Sequence, residues 1–169
     1  SAATHWALCL LWLHWTPPSA WVLPFPALTA LSRHRTVLEL TGHYWLWKNC
    51  KDVNYIGTCH YRRYLINEQE RVLTKSEYEH LLKTYDLVTT KRVILNNSYH
   101  YGFSANHNIE ALDCTGEVIR DLYPEYYDTF MTLVHSNETY FGNMFVTSKE
   151  LFDSYCEWLF TIFAEVEKS

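Results

Sequence analysis

The stretch Tyr55-Ile56-Gly57-Thr58-Cys59-His60-Tyr61-Arg62-Arg63-Tyr64 decides how the rest of this chain is understood. It reads as a short buried strand, Tyr55 to Tyr61, whose C-terminal end delivers a histidine, aromatic side chains and two adjacent guanidinium groups. Arginine is costly to bury unless an anion meets it, and its planar fork suits phosphate or carboxylate. Ligands of open α/β sheets bind outside the carboxyl ends of the strands. The segment is therefore the candidate functional centre. The competing reading is structural, with Arg62 and Arg63 as surface residues paired to Glu68 or Glu70.

Working outward, Glu39 to Cys50 (ELTGHYWLWKNC) places Leu40, Tyr44 and Trp47 at helical spacing, and Lys51 to Asn54 is a turn. Thr74-Lys75-Ser76-Glu77 is a capping box, opening a helix through Tyr85, and Asp86 to Thr90 is a short strand. The order helix, strand, helix, strand predicts an α/β fold with helices covering a mostly parallel sheet. Lys91 to Asn97 reads as a polar connection and Ser98 to His107 as a short helix or ordered loop. Asp113 is the expected N-cap of a helix from Cys114 to Tyr123. Pro124 suits the first turn of the next helix, which runs to about His135. Tyr140 to Thr147 (YFGNMFVT) reads as one strand, in which Asn143 is an unusual polar residue. Thr147-Ser148-Lys149-Glu150 reads as a second capping box. In the last helix Leu151, Phe152, Tyr155, Trp158, Leu159, Ile162, Phe163 and Val166 form one apolar stripe, which is core packing and not a site.

The chain of 169 residues can bury one domain's core. A net charge of -5 argues against nucleic acid as a partner, while leaving room for a local basic pocket. Five cysteines, an odd number without C-x-x-C, fit free and mostly buried thiols in a reducing compartment. The sequon Asn137-Glu138-Thr139 carries no weight there. Glycines are scattered singly, so no phosphate-binding loop is present, and no G-x-S-x-G elbow appears. His100 and His107, seven residues apart, make a poor metal pair, and no metal site is expected.

Residues 1–38 stand apart. They hold no Asp or Glu, four of the seven tryptophans and four of the five prolines. The apolar run Trp6 to Trp15 falls short of the ~20 residues that span a bilayer, and no basic region precedes it. The segment is either a hydrophobic arm for a partner or a membrane surface, or non-native, frame-shifted sequence. The second reading is favoured, with residues 39–169 as a partial domain.

The segments Glu39 to Asn49, Tyr55 to Tyr64, Asn143-Met144-Phe145 and Tyr155-Cys156-Glu157-Trp158-Leu159-Phe160 together resemble one bacterial family. It is the domain, long of unknown function, found in capsular polysaccharide, exopolysaccharide and O-antigen glycosyltransferases, some of them assigned as galactofuranosyltransferases. The resemblance runs from about Glu39 to Lys168. It implies a GT-A-like, Rossmann-related three-layer sandwich with a mostly parallel central sheet, incomplete here at both ends. In that fold an acidic residue on a helix, here Glu39, precedes a strand ending in a metal-binding Asp-x-Asp. In this chain His60-Tyr61-Arg62-Arg63 stands in that place. The resemblance therefore implies metal-independent transfer without a cofactor, a divalent cation being disfavoured. Arg62 and Arg63 would meet the leaving diphosphate, whose growing charge must be stabilised, and His60 would orient a phosphate or sugar hydroxyl. Asp113 or Glu110, near His107, would be the general base, and His107 and Asn143 would bind sugar.

The implied partners are a nucleotide-diphosphate sugar and a polysaccharide or lipid-linked glycan acceptor. The implied place is the cytoplasm, at the inner face of the plasma membrane. Two other classes compete with this reading: a non-catalytic sugar- or nucleotide-binding module, and a phosphate-ester hydrolase using His60 with the arginine pair.

Overall fold

Leu40, His43 and Trp47 recur at the three- and four-residue spacing that lines up one helix face, and they form the inward side of α1 (Leu38–Asn49). The computed structural model describes residues 38–59 and 63–168. The opening segment apart from Leu38, together with His60, Tyr61 and Arg62, lies outside the described residues. The helix ends where side chains take over its last carbonyls: Asn49 Nδ2 donates to the Trp45 carbonyl and Lys51 Nζ to that of Trp47, both at 2.9 Å.

After a five-residue connection comes β1 (Tyr55–Thr58). Leu65 to Leu73 then doubles back as a small arm, with Ile66 bridged to Val72 and the Leu73 amide donating to the Leu65 carbonyl. The Thr74 capping box forms as expected and opens α2 (Lys75–Leu81), which ends a turn earlier than the expected Tyr85. The next strand, β2 (Leu87–Thr89), falls within the expected span.

The sheet corrects the expected parallel arrangement. Its order is β1, β5, β2, with β5 (Phe145–Ser148) antiparallel to both neighbours. Every ladder among the described residues is antiparallel. β1 and β2 run the same way, as a helix-strand alternation implies, but β5 returns between them from far along the chain. Gly57 and Val88 both sit opposite Val146. A Cβ on Gly57 would lie 2.9 Å from Val146 Cγ2, so the close approach of these strands depends on glycine.

Lys91 to Asn97, expected as a connection, holds a strand, β3 (Arg92–Ile94). It pairs antiparallel with β4 (Glu138–Tyr140), and Arg92 reaches Glu138 at 3.0 Å. The expected single strand from Tyr140 to Thr147 is thus two strands, in two sheets, separated by a turn.

Helices α3 (Tyr99–Ser104), α4 (Ile109–Leu122) and α5 (Pro124–His135) fill the stretch between. The α4 cap is Asn108 and not Asp113, which lies inside the first turns. Gly116 lets α5 approach, since a Cβ there would lie 3.2 Å from Phe130. Pro124 opens α5 as expected.

The last helix, α6 (Lys149–Val166), is the hub of the core. Its Phe152, Leu159 and Ile162 are fully buried. Ser148 caps it alone, accepting from the Leu151 amide, so the second capping box does not form. Thr147 instead donates to the Asp86 carbonyl at 2.6 Å. Phe160 stacks on Trp47 of α1, with centroids 5.8 Å apart, and Trp158 meets Tyr123 and Tyr126 at the α4–α5 corner. Of the described cysteines only Cys156 is buried, and Cys59 is exposed.

Candidate functional site

Three strand ends meet at one edge of the larger sheet. Thr58 and Thr89, the last residues of β1 and β2, both face Phe145, the first residue of β5. Between them runs the turn Phe141-Gly142-Asn143-Met144. Gly142 has φ +100° and Asn143 φ +44°, two successive left-handed residues of the kind that glycine and asparagine tolerate best.

Three threonine hydroxyls fasten this turn. Thr58 donates to the Asn143 carbonyl at 3.4 Å, Thr89 to that of Met144 at 2.8 Å, and Thr90 to that of Phe141 at 2.9 Å. The backbone carbonyls of a bent segment have no ladder partner, and these side chains supply one. The Asn143 side-chain Oδ1 is buried and has no hydrogen-bond partner among the described residues. An orphaned buried acceptor is rare in folded proteins and costs about 1–3 kcal/mol.

The arginine segment leaves from this edge. Cys59 follows Thr58 and is exposed, His60 and Arg62 lie outside the described residues, and Arg63 and Tyr64 are exposed where the chain resumes. Among the described residues no carboxylate pairs with Arg63. The acidic partner of the neighbouring arm is Glu77, which takes Arg71 at 2.7 Å.

Glu39 lies in the first turn of α1. One turn on, His43 is buried with its ring 5.8 Å from Phe145. That contact seats the middle of α1 against the start of β5.

Glu110 and Asp113 stand on α4, and His107 in the turn that precedes it. Asp113 Oδ1 is 3.9 Å from His100 Nε2, and His100 stacks on His135 with centroids 4.9 Å apart. His107 packs on Phe103, and Glu110 accepts from Asn108 Nδ2 at 3.1 Å. Among the described residues no group of three or more His, Cys, Asp or Glu could hold a metal ion, and no helix is long and apolar enough to cross a membrane.

The threonines Thr58, Thr89 and Thr90 and the left-handed Gly142 were not singled out in the sequence. Gly-Asn inside an apolar run was the available signal for a turn. Nothing in the spacing of the threonines announces their common target.

With this geometry in place, the comparisons with known proteins are specific. A family model described as Domain of unknown function (DUF4422) matches residues 32–169. The chain belongs to this family. It is also similar to a solved structure, WbbM, a bifunctional glycosyltransferase in its apo form, with a TM-score of 0.67 and 28% sequence identity. The likeness covers 77% of this chain and 28% of that one. No curated protein matches.

Proposed function

We propose that this chain is the donor-binding portion of a GT-A-like glycosyltransferase that moves a sugar from a nucleotide-diphosphate sugar to a surface polysaccharide. The observation that carries the reading is the likeness to WbbM, at 28% identity and a TM-score of 0.67 over most of the chain. The Asn143 turn, fastened by Thr58 and Thr89 where β1 and β2 end, supports it from the side of chemistry, since strand ends are where open α/β folds bind ligands.

In this reading Arg62 and Arg63 neutralise the diphosphate as the bond to the sugar breaks, replacing a divalent cation, and His60 orients a phosphate or hydroxyl. Asn143 offers its amide to a sugar hydroxyl. Asp113 or Glu110, with His107 beside them, serves the acceptor. A base must stand within hydrogen-bond reach of the acceptor hydroxyl. The acceptor is a polysaccharide or a lipid-linked glycan, taken up in the cytoplasm at the inner face of the plasma membrane.

Uridine diphosphate binding by calorimetry tests the centre of the proposal. Arg62→Ala and Arg63→Ala are each expected to weaken it, and unchanged affinity in both removes the diphosphate role. Transfer is expected to persist in excess chelator, so an absolute manganese requirement would overturn the arginine-for-metal substitution. Asp113→Asn and Glu110→Gln separate the base candidates: the true one loses kcat while keeping donor affinity.

A further inference from the structure

The arm Leu65 to Leu73, which follows Arg63 in the chain, is fastened at the Glu77 carboxylate. Glu77, on the first turn of α2, accepts from the Thr74 amide at 2.7 Å and the Thr74 hydroxyl at 2.6 Å. The same carboxylate takes Arg71 Nη2 at 2.7 Å and Asn67 Nδ2 at 3.3 Å. Asn67 in turn accepts from the amides of Gln69 and Arg71 at 3.1 and 3.0 Å. A helix cap needs only the Thr74 bonds. The links to Asn67 and Arg71 lie outside the helix and tie down the arm whose other strand begins just past Arg63.

These bonds tie α2 to the arm that begins two residues after Arg63. Glu77 itself is held down to about 2, chiefly by the Thr74 hydroxyl and then by the Thr74 amide and Arg71, so it stays ionised at working pH.

We propose that Glu77 and Arg71 form a positioning clamp that sets Arg63 for diphosphate binding, an inference that rests on the donor reading above. A side chain with several rotatable bonds meets phosphate well only if its backbone is fixed, and small misplacements carry large losses. Glu77 and Arg71 do not touch the ligand in this account. They act through the arm.

The test is a double-mutant cycle on the full chain with uridine diphosphate as probe, read by calorimetry. Arg71→Ala and Glu77→Gln are each expected to weaken binding about tenfold, which is about 1.4 kcal/mol. Glu79→Ala, which breaks the exposed Lys75–Glu79 pair on the same helix, is the control and is expected to leave binding unchanged. In the Arg63→Ala background, Arg71→Ala is expected to add nothing, because the residue it positions is gone; a general loss of structure would instead add its full effect. Additive losses, or parent affinity in Arg71→Ala while Arg63→Ala is impaired, overturn the clamp alone. Parent affinity in Arg63→Ala removes the clamp, and only parent affinity in Arg62→Ala as well removes the donor reading.

Discussion

Gly142 holds φ +100° beside an asparagine at +44°, and only glycine occupies the first of these without strain. Gly142→Ala is expected to destabilise the fold by about 1 kcal/mol or more, read as a lower urea midpoint at unchanged slope. Asn143 could be picked out in the sequence as a polar residue among large apolar ones, but its backbone state was masked because the Gly142-Asn143 turn signal sits inside an otherwise strand-like apolar run. Glu77 gives a pH prediction. Its folded value is depressed, so its contribution is fully present above the ordinary 4.5 and is lost as pH falls toward 2. The gap in Tm between the parent and Glu77→Gln is therefore expected to narrow across that window in a thermal series. Cys156 is pushed up to about 12, first by burial and then by Asp153, and Cys59 is exposed. Native protein at pH 8 is expected to be alkylated at Cys59 and spared at Cys156, read by peptide mass.

The ladder between β1 and β5 depends on a missing side chain. A Cβ on Gly57 would stand 2.9 Å from Val146, and the β-branched Val146 is stiff. Gly57→Ala is expected to cost about 1–3 kcal/mol through overpacking, and Val146→Ala in the same chain is expected to recover part of it, measured by denaturant titration. Elements with a strong burial pattern were legible in advance. The α6 stripe is the clearest case, because its side chains pack on the sheet, on α1 and on the α4–α5 corner at once. The three-residue strand β3 was not, since Arg92, Val93 and Ile94 are all exposed and no alternation of burial betrays the strand. The β-branched pair Val93-Ile94 was the available hint. The start of α4 was misplaced by five residues because Asp113 and Asn108 are both good caps, and the choice is made by Leu112 and Gly116 turning inward.

At the scale of the molecule, helix-strand alternation correctly implied an α/β fold and wrongly implied parallel neighbours. Alternation fixes the direction of β1 and β2 relative to each other. It says nothing of a strand that arrives later and inserts between them. Because α6 packs on the sheet, on α1 and on the α4–α5 corner, the described region is expected to unfold as one unit, with far-UV circular dichroism and tryptophan fluorescence giving coincident transitions. Separate midpoints would show that the α4–α5 corner melts independently of the sheet.

The central strand of the larger sheet is also its last in chain order. As the polypeptide emerges from the ribosome, β1 and β2 have no partner among the described residues of that sheet until Phe145, 56 residues after Thr89, is available. Through that interval both strands present open edges of the sort that recruit other chains. Such distant pairings are also slow to form. The nascent chain is thus most exposed to misassembly just before β5 and α6 are complete, which makes holdase chaperones and slow translation of that stretch relevant to obtaining it folded.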